Sequence, residues 1–336
     1  LGLDIGSHSI KAIELERSRN IFTLLAAGSV PTPTKTTSNS TIDLQSIAYT
    51  IKQLVKDAGI RSRTVNVALP ESQVFTRVIE VPQLSQRELA SAIQWEAEQY
   101  IPLPLDQVNL DFSILRDAKD TGNGKMEVLL VAAPKALVER YNTILDMADL
   151  DPIAAETEII ASSRSLIRSV PTLKNVMIAS LGAQTTDIAI LQAGILSVTR
   201  SIAAGGEALS RGVAQSLDFN PVQAEEYKKT YGLDKNMLEG KILGAVRPIM
   251  DSIATEMKRA IAYFENKRKT EKVEAIILAG GSAKLPGMVA FFAENLGIET
   301  QLANPWVGLR MEQRFGVLVP EGPLFHVAVG LSMRQE

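Results

Sequence analysis

Three glycine-containing turns, each rich in hydroxyl side chains, hold the plainest chemical potential in this sequence. Residues 3–11, LDIGSHSIK, carry Gly6, Ser7 and Ser9 after an apolar run and end on Lys11. Residues 180–187, SLGAQTTD, carry Gly182, Thr185 and Thr186 between Ser180 and Asp187. Residues 278–287, LAGGSAKLPG, lead an apolar run into Gly280, Gly281 and Ser282. Small residues leave backbone N–H groups unobstructed, and with nearby hydroxyls these form an anion-binding concavity. Glycine also lets a ligand approach the backbone closely. Asp4, just before the first turn, and Asp187, just after the second, are placed to reach a Mg²⁺ directly or through water, and Lys11 to neutralise phosphate charge. Each turn taken alone also reads as an ordinary hairpin or strand-to-helix loop. No Gly-Lys pair is followed by Ser or Thr, and G-x-G-x-x-G is absent, so any nucleotide is held by neither of those two loops.

The rest of the composition removes whole classes of chemistry. With no cysteine there are no disulfides, thiol nucleophiles, iron–sulfur clusters or Cys-based zinc sites. With only His8 and His326, a histidine-rich metal site is excluded, and a Ser-His-Asp hydrolase would have to use one of those two. A metal here is then a hard cation held by oxygen, such as Mg²⁺ with a nucleotide. The 336 residues are about twice the ~150 of a typical domain, so one split domain or two to four small subdomains are expected. Hydrophobic residues at 46% and charged residues at 22% describe an ordinary globular chain with a sizeable core. A net charge of −3, from 35 basic and 38 acidic residues, argues against a dedicated nucleic-acid binder. No uninterrupted apolar run approaches the ~18 residues that span a bilayer. The chain opens at Leu1, which reads as a trimmed N-terminus, and no signal peptide is visible.

The elements that must position these turns follow from periodicity. Residues 1–15 read as strand, turn and strand, and residues 21–27 as a third strand. Leu44, Ile47, Ile51, Leu54 and Val55 recur at helical spacing before Gly59, and Val65, Val67 and Leu69 alternate as a strand. From Arg77 the order is strand, helix, two strands and helix, ending at Asp149, with Ser85 and Glu88 as a capping box. Residues 176–204 return to strands. Helices follow over Glu207–Leu217, after Asn220-Pro221, and over Pro248–Arg268; then a strand over Ala275–Ala279 and a last helix over Val327–Met333. Lys56 and Lys267 read as solvated helix positions. Residues 3–15 can be laid over 179–191, with Gly6 on Gly182, Ser9 on Thr185 and Leu15 on Leu191. A repeat at half the chain length, unlike the ~20–50 residues of a solenoid, suggests two similar halves facing each other.

Taken together, the three turns resemble the phosphate and adenosine loops of the actin-like ATPase superfamily, in the same order over the whole chain. The resemblance implies an α/β fold of two facing RNase H-like halves, with ATP and Mg²⁺ in the cleft between them. It implies that Asp4 reaches Mg²⁺ through water, with Asp187 a second candidate. It places Gly6, Ser7 and Lys11 at the β-phosphate, Gly182, Thr185 and Thr186 toward the γ-phosphate, and Gly280, Gly281 and Ser282 against adenosine, with Ser9, Gly205 and Gly206 as further nucleotide-binding residues. Glu225 and Lys228, in AEEYK, resemble an acid and a lysine that reach the ribose and adenine; the same stretch also reads as a solvated charge run. Glu158 falls at the connecting helix that positions the attacking water. One position departs: the second phosphate loop usually has Asp two residues before its Gly, and here Ser180 stands there. A neutral hydroxyl holds Mg²⁺ and its waters less well than a carboxylate, so slow hydrolysis is expected.

Within the superfamily, residues 77–115 (RVIEVPQLSQRELASAIQWEAEQYIPLPLDQVNLDFSIL) and 205–232 resemble the PilM family of type IV pilus assembly proteins, related to the division protein FtsA. The resemblance implies an inserted α+β subdomain at 74–153. The first half would be 1–73, completed by about 154–175 and 322–336. The second would be 176–206 and 273–321, with a helical subdomain at 207–272. It also implies a scaffold, cytoplasmic and peripheral at the inner membrane, that binds the cytoplasmic N-terminal segment of PilN and contacts other inner-membrane pilus proteins, with nucleotide tuning partner affinity and self-association a further expectation. Ile93, Trp95, Tyr100 and Ile101 are candidate walls of a partner groove, and core packing is the competing reading of each. A filament-forming FtsA-like protein is one alternative; such proteins usually end in a basic amphipathic membrane helix, and this sequence ends in GLSMRQE. A small-molecule kinase is another, and would need a carboxylate base facing an acceptor pocket.

Overall fold

The computed structural model describes residues 1–19, 21–269 and 271–334. The chain opens on three antiparallel strands, β1 (Gly2–Ile5), β2 (Ser9–Ser18) and β3 (Ile21–Pro31). Helix α1 (Thr41–Asp57) carries it to β4 (Thr64–Leu69), which pairs parallel with β1. An excursion follows through β5 (Phe75–Pro82), α2 (Gln86–Glu98), β6 (Val108–Arg116) and β7 (Lys125–Pro134). Helix α3 (Lys135–Met147) returns to β8 (Asp151–Thr157), parallel to β4, and α4 (Glu158–Leu166) crosses to the second half. There the pattern recurs, with antiparallel β9 (Asn175–Leu181), β10 (Thr186–Gln192) and β11 (Ile195–Ile202). Helices α5 (Gly206–Leu217), α6 (Pro221–Tyr231) and α7 (Lys241–Arg268) precede β12 (Ala275–Ala279), α8 (Met288–Leu296) and β13 (Glu299–Leu302). A short β14 (Leu309–Arg310) and α9 (Gly322–Ser332) close the described chain.

Two large sheets result, ordered β14-β3-β2-β1-β4-β8 and β11-β10-β9-β12-β13. With β14 set aside, both have three antiparallel strands followed by two parallel ones. The duplication seen in the sequence extends to the hydrogen-bond register. Asp4 faces Lys11 and Ile5 faces Ile10 in the first hairpin; Ser180 faces Asp187 and Leu181 faces Thr186 in the second. Asp4 and Ser180 are therefore structural counterparts, as are Lys11 and Asp187.

The inserted module is smaller than the sequence suggests. Its sheet, β5-β7-β6, is covered by α2, whose Leu89, Ile93 and Ala97 pack with Val81, Met126, Val128 and Leu130. The Ser85–Glu88 capping box starts that helix, with Ser85 N–H donating to Glu88 Oε2 at 2.8 Å. Helix α3 does not belong to the module: Leu137, Tyr141, Ile144 and Leu145 pack against Ile47, Ile51 and Leu54 of α1 in the first half. Burying each such large side chain is worth about 1.5–3 kcal/mol, so α3 goes where its apolar stripe has a partner. The module is thus 75–134, and β8 completes the first sheet.

Other boundaries also differ from the sequence reading. β14 pairs with β3 of the first sheet, and Trp306, Leu309 and Phe315 pack with Phe325 and Leu24, so the second half ends near 303 rather than 321. Helix α7 begins at Lys241, seven residues before the expected Pro248. Proline costs a helix one hydrogen bond and clashes with the carbonyl four residues back, but Ile242, Val246 and Met250 bury one continuous stripe across it. Helix α9 starts at Gly322 and follows a 3₁₀ run over Gln313–Glu321. Together they make 20 helical residues, 18 of which average a hydropathy of 1.3, long and apolar enough to cross a membrane, which the sequence reading did not find. Half of the stretch is buried, and α9 packs on β1, β2 and β4 as a core helix. Residues 335 and 336, part of the expected first half, lie outside the described residues.

The module also reaches across to the second half. Thr199 Oγ1 on β11 donates to the Thr76 carbonyl on β5 at 3.1 Å. Glu127 on β7 is fully buried; Arg268 Nη2 donates to its two oxygens at 2.6 and 2.8 Å, and Arg116 Nη1 donates at 2.8 Å. Lys267 joins the cluster at 3.3 Å and pairs with Glu80 at 2.7 Å, so it is not the solvated position expected. Burial opposes the Glu127 charge, but Arg268, Lys267 and Arg116 together hold its pKa below the ordinary carboxylate value.

Candidate functional site

The turns of both hairpins open onto one cavity of about 830 Å³ between the two sheets. Most of the residues singled out in the sequence line it. Asp4, Gly6, Ser7, Ser9 and Lys11 come from the first hairpin; Gly182, Thr185 and Asp187 from the second; Glu158 from α4. Gly206, Glu225 and Lys228 come from α5 and α6, and Gly280, Gly281 and Ser282 from the loop after β12. Two do not line it. Thr186 is fully buried and its hydroxyl donates to the Ala204 carbonyl at 2.7 Å, because its position on β10 turns the side chain away from the cleft. Gly205 packs on the turn instead: a Cβ there would lie 2.7 Å from the Gly182 and Ala183 carbonyl oxygens.

The two adjacent glycines of the loop after β12 differ in what they do. Gly280 has φ +83°, and a Cβ would come within 2.4 Å of the Leu181 carbonyl oxygen. Its N–H donates to the Pro323 carbonyl at 2.7 Å, tying the loop to the start of α9. Gly281 is different. The nearest atom to a Cβ is Leu324 Cδ2 at 3.4 Å, so its empty side faces usable space.

Acidic groups gather at the base of the cavity. Lys11 Nζ donates to Asp4 Oδ2 at 3.0 Å, with both side chains nearly buried. Asp187 accepts hydrogen bonds from Thr185 at 2.9 Å and from Ser201. Burial nevertheless pushes its pKa up to about 6. Glu158, the first residue of α4, is raised well above the ordinary carboxylate value, by burial first and then by Asp187 and Asp4. Among the described residues no three Asp, Glu or His groups converge tightly enough to hold a metal by themselves.

Sequence reasoning missed two partners. Glu71, in the 3₁₀ turn entering the module, is buried, and its N–H donates to Glu158 Oε2 at 3.4 Å. Burial, then the nearby Asp187, pushes Glu71 up to about 7. Nothing in the local pattern around Glu71 marks it, since its neighbours come from α4 and β10. The other is His326, weighed above only as a hydrolase histidine. It is buried, its Nδ1 lies 2.9 Å from the Pro323 carbonyl, and its Nε2 lies 3.1 Å from Ser180 Oγ. A carbonyl only accepts, so Nδ1 carries the proton and Nε2 accepts from Ser180. Burial pushes the imidazole down to about 4.

The Glu225–Lys228 stretch is no loose charge run. Lys228 is buried and donates to Glu225 at 2.7 Å, Ser210 at 2.8 Å and the Gly206 carbonyl at 3.0 Å, which uses all three of its hydrogens. Burial raises the Glu225 pKa, yet hydrogen bonds from Lys228 and Ser210 outweigh it and pull the carboxyl down to about 2. The partner-groove residues divide instead. Ile93 and Ile101 are buried in the module core and cannot be groove walls. Trp95, two residues further round α2, is 73% exposed, and Tyr100 is half-buried beneath the Arg77 guanidinium at 4.5 Å.

A family model described as type IV pilus assembly protein PilM matches residues 2–336. The chain belongs to the PilM family of type IV pilus assembly proteins. A solved PilM–PilN type IV pilus biogenesis complex has a chain similar to it with a TM-score of 0.86 and 28% identity, covering 99% of this chain and 97% of that one. Cell division protein FtsA of Streptococcus pneumoniae is 21% identical over 349 residues, 92% of this chain and 76% of FtsA. MreB5 of Spiroplasma citri bound to ADP matches with a TM-score of 0.51 and 13% identity over 98% of this chain and 93% of that one, a likeness of fold alone. This PilM family member has the actin-like ATPase fold, with the small inserted subdomain of 75–134 between strands of its first half.

Proposed function

We propose that this protein is an ATP-binding scaffold of the type IV pilus inner-membrane platform, and that it binds the cytoplasmic N-terminal segment of PilN. The likeness to the chain of the PilM–PilN complex over nearly its whole length carries this reading. ATP with Mg²⁺ supplies a polyphosphate that both hairpins can grip, bridging the halves. On this reading Gly6, Ser7, Ser9 and Gly182 offer backbone N–H and hydroxyl donors, Lys11 offers charge, and Asp4 and Asp187 orient metal-bound water. The open side of Gly281 receives adenosine and the Glu225 carboxylate the ribose, with Lys228 holding that carboxylate in place from beneath. The protein sits at the inner membrane through its partner rather than through its own lipid contacts, since its net charge of −3 gives no general attraction to anionic lipid.

A peptide copying the PilN N-terminus is expected to bind the chain in solution, with an affinity that changes when ATP is present. Absence of binding with and without ATP, together with unaided sedimentation on lipid vesicles, would replace this reading with an FtsA-like one. Hydrolysis is expected to be slow because Ser180 stands where the superfamily usually has Asp. Phosphate release well below the ~1–10 s⁻¹ of ordinary enzymes is the expected result, with Ser180→Asp faster.

A further inference from the structure

Ser180 and His326 stand together on the wall of the cavity, beside the phosphate-facing turns, and the scaffold reading gives the pair no task. Two observations bear on what it does. First, the Nδ1–H of His326 is committed to the Pro323 carbonyl, so its Nε2 lone pair faces the Ser180 hydroxyl at 3.1 Å. The Ser180 proton points at the imidazole, and the oxygen lone pairs are left free on the cavity side. Second, the matched register of the two hairpins makes Ser180 the counterpart of Asp4. The first half has an anion at this position and the second half has a nucleophile.

Resting on the nucleotide reading above, we propose that Ser180 is a phosphoryl acceptor, taking the γ-phosphoryl group of ATP bound in the cleft with His326 as proton acceptor. Ser180 Oγ forms a bond to the γ-phosphorus. The bond from that phosphorus to the β,γ-bridging oxygen breaks, and ADP leaves with its electron pair. The hydroxyl proton passes to His326 Nε2. A weak base is enough, because phosphoryl transfer passes through a loose transition state in which the hydroxyl loses its proton late. In protein kinases the corresponding acceptor is an aspartate, whose ordinary pKa is about 4. The product has a structural logic of its own. Phosphoserine carries about −1.5 to −2 charge, so the modified chain has an anion at the same register position of both hairpins, and the new imidazolium lies beside it.

The test starts from the full chain incubated with ATP and Mg²⁺, with ATP binding followed by calorimetry on the same sample. Intact mass and peptide mapping are expected to find one added phosphoryl group, at residue 180. Ser180→Ala should abolish it, and Ser180→Thr should move it to phosphothreonine at the same position. His326→Gln should slow incorporation by about 10²-fold or more. Because that buried histidine also ties α9 to β9, the unliganded natural chain provides a second measurement. With only two histidines present, ¹⁵N NMR should show His326 neutral with its proton on Nδ1. A proton on Nε2 overturns the base assignment. A chain that binds ATP yet gains no phosphate at residue 180, or gains it equally in Ser180→Ala, overturns the acceptor. Absence of ATP binding overturns the nucleotide reading, and the acceptor with it.

Discussion

Asp4 and Gly281 test different faces of one cavity. Asp4→Ala removes a carboxylate and leaves Lys11 without its 3.0 Å partner. Mg²⁺-dependent ATP binding should weaken about tenfold or more in calorimetry, the equivalent of ~1.4 kcal/mol. Gly281→Val instead fills the open side next to Leu324 and should block the adenosine end whether or not Mg²⁺ is present. Glu71 makes a claim on stability. Its folded pKa of about 7 lies above the ~4.3 of an unfolded glutamate. Its contribution is therefore fully present below about pH 4 and is lost as pH rises through 7, by roughly 3 kcal/mol. Glu71→Gln should flatten the fall in unfolding free energy between pH 4.5 and 8. A residual fall should persist, since burial raises Glu158 and Asp187 in the same direction. Denaturant melts across that pH range read the difference.

The strands and turns that make the cavity were legible because their signals are local. A hydroxyl-rich turn between apolar strands reads the same in any context, and the two copies identified each other. The capping box at Ser85 and the helix start at Asn220-Pro221 were legible for the same reason, though the reciprocal Gln223 bond at Asn220 was not read. What was not legible depends on distant surfaces. The stripe of α3 says that the helix is amphipathic but not that α1 is its partner. The two residues of β14 are a strand only because β3 lies beside them. Ile93 and Trp95 sit two residues apart on α2, about 200° round the helix, so one had to be core and the other surface. That division gives a sharper test of the partner surface. Trp95→Lys should weaken binding of the PilN peptide tenfold or more, while Lys56→Glu, on the exposed face of α1, should leave it unchanged. Titration calorimetry with the same peptide measures both.

Across the whole molecule, the inserted module is joined to the first half by the chain and to the second by the Glu127 cluster. Removing that carboxylate leaves Arg116, Lys267 and Arg268 crowded and uncompensated. Glu127→Ala should cost about 3–5 kcal/mol, the range for breaking a buried ion pair from one side. Equilibrium denaturation should show it, and hydrogen exchange should rise in β5 and β11, where the two surfaces meet.

The halves are also fastened at a second place, where Gly280 and His326 bind the start of α9 to the loop after β12 and to the end of β9. In mechanical terms, a body pinned at two separate points keeps one easy motion, a swing about the line that joins the pins. The second half is thus mounted like a door, with Ser180–His326 as one hinge pin and Glu127 as the other, and the cavity opens beside the first pin. Loosening either pin would turn a swing into a wobble, so the two pins set how faithfully an event at the cavity is felt in the inserted module.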